Sequence, residues 1–179
     1  PMTLYNLKTA DAVDVAGKRV LYRADLNVPS KDGVVTDATR IERLLPGLKA
    51  LAARGAKVIV LSHFGQPKAG PDRENSLAPA AAELGRLLGR HVMLAGDCIG
   101  DPARGIVDAM QPGDIAVLEN TRFHTGEEKN DPAFAAELAR LGDLFVNDAF
   151  SAAHRAHAST EGVTHLLPSY AGPLMMEEI

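Results

Sequence analysis

One cysteine, no tryptophan and an aromatic share of only 4% deprive this 179-residue chain of groups that mark several functional classes. The single thiol, Cys98, excludes an internal disulfide and suits a reducing compartment, so a cytoplasmic setting is expected. With few rings to stack on unpaired bases, and a formal net charge of −4, the chain is not built as a dedicated nucleic-acid binder. No apolar run approaches the ~20 residues that a membrane-spanning helix needs, and no secretory signal is visible. Neither Gly-x-x-x-x-Gly-Lys-Ser/Thr nor Gly-x-Gly-x-x-Gly occurs, so the common phosphate-loop and dinucleotide signals are missing.

What is present is a globular composition, 46% hydrophobic and 23% charged, on a chain long enough to bury a core as one domain. Pro1 stands before Met2, which reads as a tag remnant ahead of the native start. Apolar runs at residues 19–24, 57–61, 91–94, 115–118 and 144–146 read as strands covered on both faces. Between them, apolar residues at three- and four-residue spacing predict helices over 38–53, 77–88, 101–110 and 132–140. Thr36 or Asp37 can cap the first helix and Ser76 the second, while the Lys31-Asp32-Gly33 run marks a turn in the loop before the first. Strands alternating with amphipathic helices predict an α/β fold: a Rossmann-like, three-layer α/β/α domain with a mainly parallel sheet.

Four of the five strands run into polar motifs, and open parallel sheets bind ligands beyond the carboxyl ends of their strands. Asp25 and Asn27, His63, Arg122, and His154 with Arg155 should therefore meet at one sheet edge. The run from Asn147 to Ser159 follows the last strand and sets two histidines, an arginine, an aspartate and an asparagine among small residues. We expect it to present polar groups to a ligand, with His154, Arg155 and His157 facing solvent. A zinc site would need more ligands than His154 and His157, so no metal is assigned. Arginines suit a small anion because the guanidinium fork matches phosphate and carboxylate, and an aspartate can accept from a ligand hydroxyl.

Five motifs, taken in order, carry a resemblance. They are Arg23-Ala24-Asp25-Leu26-Asn27-Val28-Pro29, Ser62-His63-Phe64-Gly65-Gln66-Pro67, Leu118-Glu119-Asn120-Thr121-Arg122-Phe123, Gly126-Glu127-Glu128, and the run from Asn147 to Ser159. Together they resemble the phosphoglycerate kinase family, over essentially the whole chain, as its N-terminal domain. The resemblance implies a two-domain enzyme that closes about a hinge and moves a phosphoryl group between 1,3-bisphosphoglycerate and Mg-ADP, giving 3-phosphoglycerate and Mg-ATP. Residues 1–172 would be the phosphoglycerate-binding domain and 173–179 the start of a truncated interdomain helix. The nucleotide domain, with its Mg²⁺ and ADP or ATP, would lie outside this chain; no cofactor is expected on the fragment alone, which should bind 3-phosphoglycerate without catalysing, as a monomer.

By position in the motifs, the resemblance gives Asp25 and Asn27 the glycerate end, and puts His63, Gln66, Arg122 and Arg155 in the patch around the substrate phosphate. Arg40 would be catalytic, steadying the transferring phosphoryl group, and His154 an accessory contact. Arg23 could turn aside into a structural ion pair, Glu127 and Glu128 should stabilise a loop, and His91, His124 and His165 read as structural or surface residues. The family usually has arginine where this chain has Gln66, and commonly glycine where it has Ser151; the second change should matter little. The rival reading is a free-standing phosphoglycerate-binding or regulatory module, and a third, nucleic-acid binding through the basic edge, is opposed by the acidic net charge.

Overall fold

The inner strands of the central sheet carry two hydrophobic faces, and this decides the architecture. The computed structural model describes residues 8–68 and 70–178; the expectation about Pro1 and Met2 lies outside them. In chain order the elements are β1 (Arg19–Arg23), β2 (Ser30–Lys31), β3 (Val34–Val35), α1 (Thr39–Ala53), β4 (Lys57–Leu61), α2 (Ala78–Leu88), β5 (Met93–Leu94), α3 (Gly100–Ala109), β6 (Ile115–Val117), α4 (Pro132–Ala139), β7 (Leu144–Asn147), α5 (Phe150–Ala153), β8 (Ser169–Ala171) and α6 (Pro173–Glu178).

Side chains alternate across a strand, so Val20 and Tyr22 of β1 point to one side of the sheet while Leu21 points to the other. The same division separates Val58 and Val60 from Ile59 on β4, and Leu144 and Val146 from Phe145 on β7. One face is closed by Ile41, Leu44, Leu48 and Leu51 of α1 with Ala80 and Leu84 of α2. The other is closed by Val107 of α3 and by Phe134, Ala135 and Leu138 of α4. Each fully buried aliphatic side chain contributes about 1.5–3 kcal/mol, and two such layers give the three-layer α/β/α sandwich that the periodicity predicts.

The six-stranded sheet runs in the order β5-β6-β4-β1-β7-β8, with every pairing parallel. Its outermost strand, β8, is a sixth strand beyond the five read from the sequence. Ser169, Tyr170 and Ala171 are too few to show a period, and their strand character comes from pairing with Phe145, Val146 and Asn147. The turn at Lys31-Asp32-Gly33 is tighter than a plain loop: β2 and β3 pair antiparallel across it, with Asp32 and Gly33 both at positive φ. The third predicted strand shortens to Met93–Leu94, leaving His91 and Val92 outside it.

The cap positions of α1 and α2 are Ala38 and Leu77, one residue beyond the residues expected, and Asp37 and Ser76 hold the first turns from just outside them. Asp37 Oδ1 accepts from Thr39 N at 3.0 Å and Ser76 Oγ accepts from Ala78 N at 3.1 Å. Glu119, just past β6, adds a second cap to α2 by accepting from Leu77 N and Ser76 Oγ, both at 2.7 Å. No described helix is long and apolar enough to cross a membrane.

Candidate active site

The carboxyl ends of β1, β4, β6 and β7 lie side by side in the sheet, so the loops leaving them converge. Two buried side chains lock three of those loops together. Ser62 Oγ accepts from Leu26 N at 2.9 Å and donates to the His63 carbonyl at 2.8 Å, joining the loops after β1 and β4. Asn120 uses both ends of its amide: Oδ1 accepts from Phe64 N at 3.1 Å and Arg122 N at 2.9 Å, while Nδ2 donates to the Phe64 and Asn75 carbonyls at 2.7 and 2.8 Å. A fully satisfied buried amide of this kind rigidifies the loops it spans.

Between these loops opens a cavity of about 290 Å³ lined by Asp25, Asn27, Arg40, His63, Gln66, Arg122, Ser151, Ala152 and Arg155. All seven residues singled out for the substrate in the sequence therefore reach one cavity. His154 does not line it; its ring lies edge-on to Phe150, centroids 5.1 Å apart.

Three arginines face one carboxylate here. Arg40 Nη1 donates to the Asn27 carbonyl at 2.7 Å and lies 3.3 Å from Asp25 Oδ2. Arg122 Nη1 donates to the Gly65 carbonyl at 3.2 Å, and its Nε is buried without a partner among the described residues. No described acid lies within ion-pairing distance of Arg122 or Arg155, so two positive charges lack a counter-ion. Asn27 Oδ1 accepts from Gly65 N at 3.0 Å, which leaves its amide nitrogen for the cavity.

His63 is not one of the cations. Burial first, then Arg23 and Arg122, push its pKa down to about 3, so the imidazole is neutral at physiological pH. Its Nδ1 lies 2.8 Å from Arg23 Nη2. Arg23 itself is fully buried, donating also to Ser159 Oγ at 2.8 Å and to the Ala24 carbonyl. Burial pulls its pKa below the usual arginine range, against the opposing charges of Glu127 and Asp25.

The run from Asn147 to Ser159 is more buried than its composition suggests. Asn147, Asp148, His157 and Ser159 are all buried, and only His154 and Arg155 of the three expected cations face solvent. The chain folds back after Arg155, so that the His157 carbonyl accepts from Glu161 N at 2.8 Å and its ring is carried inward, where burial lowers its pKa. Ser151 also lines the cavity. Its hydroxyl donates to Asp25 Oδ2 at 2.6 Å, the same oxygen that Arg40 Nη1 approaches at 3.3 Å, so a ligand hydroxyl would compete with both.

Glu127 holds a loop, as read, and does so from complete burial. Its Oε1 accepts from Ser159 N at 2.8 Å and its Oε2 from Thr121 Oγ1 and Ser159 Oγ, both at 2.6 Å. Away from the cavity, His124 is half-buried rather than superficial: Nε2 pairs with Asp97 Oδ1 at 2.7 Å and the ring stacks on Phe134. Asp97, Cys98 and His124 place three potential metal donors within 4.8 Å of one another. Asp97 Oδ1 is already engaged by His124 and by Cys98 N, and burial pushes the Cys98 thiol up, which opposes the thiolate a metal would require.

The phosphoglycerate kinase family model matches residues 10–179. The chain belongs to the phosphoglycerate kinase family. It is 61% identical over 172 residues to phosphoglycerate kinase of Rhodospirillum centenum, an alignment covering 96% of this chain and 43% of that protein. Over 169 residues it is 62% identical to phosphoglycerate kinase of Chelativorans sp., covering 94% of this chain and 42% of the relative. Among solved structures, phosphoglycerate kinase from Pyrococcus horikoshii superimposes with a TM-score of 0.87 at 32% identity, over 96% of this chain and 44% of that one. The Coxiella burnetii enzyme gives 0.85 at 37% identity, over 96% and 43%. The chain thus spans less than half the length of these phosphoglycerate kinases and corresponds to their N-terminal part.

Proposed function

We propose that this chain is the substrate-binding part of a phosphoglycerate kinase, which reversibly transfers a phosphoryl group between 1,3-bisphosphoglycerate and ADP to give 3-phosphoglycerate and ATP. The observation that carries the reading is the 290 Å³ cavity, where three arginines and a neutral histidine face a single carboxylate. An anion is the chemical complement of two uncompensated guanidinium charges, and Arg122 Nε is a buried donor lacking an acceptor until a ligand supplies one.

In this reading Arg122 and Arg155 take the phosphate that is retained on the substrate, with His63 donating as a neutral group. Asp25 and Asn27 hold the glycerate end, where Asp25 can accept from a hydroxyl and the Asn27 amide can donate to a carboxylate. Arg40, more than half exposed and anchored through Nη1, turns a charged fork toward the group in transfer. Positioning and charge stabilisation of this kind suffice for phosphoryl transfer, which asks no activated nucleophile of the protein. Gln66 contributes a neutral hydrogen bond, and His154, outside the cavity lining, is given no contact.

The cavity does not suit Mg²⁺, which needs oxygen ligands in near-octahedral array, because its one carboxylate is engaged by Arg40 and Ser151. Mg²⁺, which would neutralise charge on the transferring group, and the nucleotide, which would accept or give up that group, belong in this account to a second, nucleotide-binding domain. That domain would follow α6, here the first turns of an interdomain helix. Calorimetric titration of this chain tests the reading: saturable heat with 3-phosphoglycerate and none with ADP is expected. Tight ADP binding, or indifference to 3-phosphoglycerate, would refute it.

A further inference from the structure

A buried polar relay runs from Glu127 to the wall of the cavity. Glu127 Oε2 accepts from Ser159 Oγ at 2.6 Å, Ser159 Oγ accepts from Arg23 Nε at 2.8 Å, and Arg23 Nη2 lies 2.8 Å from His63 Nδ1. Direction is forced at every link. A guanidinium has donors only, so His63 Nδ1 must be the acceptor and its proton must sit on Nε2. The Ser159 hydroxyl has one proton, given to Glu127, and its lone pairs receive Arg23. Glu127 in turn accepts three hydrogen bonds and donates none, as a carboxylate does.

His63 lines the cavity, and Nε2 makes no hydrogen bond to any described residue. From these contacts we infer that Glu127 is a positioning residue, which acts through Ser159 and Arg23 to hold His63 as the Nε2–H tautomer, a neutral donor aimed at the bound anion. The alternative tautomer would present a lone pair to a phosphate or carboxylate and repel it. The charged and titratable groups facing His63 are Arg23 on β1, Asp25 after β1, Arg122 after β6 and His157 after α5. Three of these four disfavour protonation, and only Asp25 favours it. The site thereby avoids a histidine whose charge would follow pH through the physiological range. This inference rests on the proposed function only for the identity of the anion; the relay and the tautomer are properties of the chain alone.

Its test therefore uses no ligand. In protein labelled with ¹⁵N-histidine, long-range ¹H–¹⁵N correlations distinguish the two tautomers and the imidazolium, and loss of a signal in His63→Gln assigns it. We expect one Nε2–H pattern for His63 from about pH 5 to about pH 8. Glu127→Gln turns an amide donor onto Ser159 and removes the anchoring charge, so the two ring-nitrogen shifts should converge toward an averaged value. Ser159→Ala, which cuts the relay with a smaller change, should produce the same convergence if Glu127→Gln does not fold. Thr121→Val removes a different hydrogen bond to Glu127 and should leave the pattern unchanged. An Nδ1–H or imidazolium pattern in the unmodified protein at neutral pH would overturn the inference, as would a wild-type pattern in folded Glu127→Gln or Ser159→Ala. An intact tautomer in a chain that ignores 3-phosphoglycerate would refute the proposed function alone.

Discussion

Tyr22 on β1 donates its hydroxyl to Asp148, 126 residues away, and both side chains are buried. The second oxygen of Asp148 accepts from Leu174 N at 2.8 Å and Met175 N at 3.1 Å, so one carboxylate joins the sheet to the start of α6. Room for this junction comes from Gly47 on α1, where a Cβ would lie 2.6 Å from the Tyr22 hydroxyl. Asp148 follows β7 directly, and the cavity wall at Ser151 and Ala152 comes three residues later.

Burial raises the pKa of Asp148 despite the hydrogen bonds it accepts from Tyr22 and the two amides. A raised folded-state value means that the folded protein holds the proton more firmly than the unfolded chain. The stability due to this group is therefore present below about pH 4, the ordinary aspartate range, and is lost as pH rises through the raised value. Asp148→Asn keeps an acceptor for the α6 amides and cannot titrate. Urea unfolding at stepped pH should show wild type losing stability relative to the variant across that window, with no further change above it. A relative gain with rising pH would contradict the assignment.

Arg40 should separate turnover from binding. Its Nη1 is spent on Asn27 and Asp25, and in the proposed reading the rest of the guanidinium serves a group that arrives in the transition state. In the complete two-domain enzyme, Arg40→Ala should lower kcat at least ~10²-fold while changing substrate affinity much less. Equal losses in both would assign Arg40 to ground-state recognition.

Ser151 holds one oxygen of Asp25 that a ligand hydroxyl could use. Ser151→Gly removes this competing donor and leaves only Arg40 beside that oxygen, and one recovered hydrogen bond of about 0.5–1.5 kcal/mol corresponds to roughly two- to tenfold tighter binding of 3-phosphoglycerate. The gain should vanish for an analogue without the hydroxyl. A gain of equal size for both ligands would mean that the serine acts by crowding the cavity.

Gln66 lines the cavity without bringing a charge. Gln66→Arg should tighten 3-phosphoglycerate binding several-fold at low ionic strength, on the order of 1 kcal/mol for an accessible charge-assisted contact. The difference should fade in high salt, because screening acts over about 10 Å at 0.1 M. Unchanged affinity at low salt would show that Arg122 and Arg155 already satisfy the phosphate.

How much could be read from the sequence follows the range of each signal. The two-faced strands 19–23 and 57–61 and the helix over 39–53 carry strong periods, and the structure has them within a residue or two of the predicted ends. Strand β8 has three residues and takes its conformation from pairing with β7, a long-range contact that no local period announces. Polar motifs after the strands pointed to Asp25, Asn27, His63, Arg122 and Arg155 at one cavity, because a parallel sheet gathers such loops at one edge, whereas His154 falls outside it and Arg40 and Gln66 were legible only through the family resemblance. The burial of His157 and Ser159 was hidden, since small polar residues look solvated until a partner such as Glu127 is found across the fold. His63 as a neutral group was equally hidden, because its pKa is lowered first by burial and then by Arg23 on β1 and Arg122 after β6, none of which a local pattern reveals.

Residue-resolved NMR titration of this chain with 3-phosphoglycerate measures the central claim most directly. The account predicts saturable amide shifts at Asp25, Asn27, His63, Gln66, Arg122 and Arg155, the residues around the 290 Å³ cavity, and no comparable shifts with ADP. Shifts confined to other surfaces, or saturable low-micromolar binding of ADP, would contradict it.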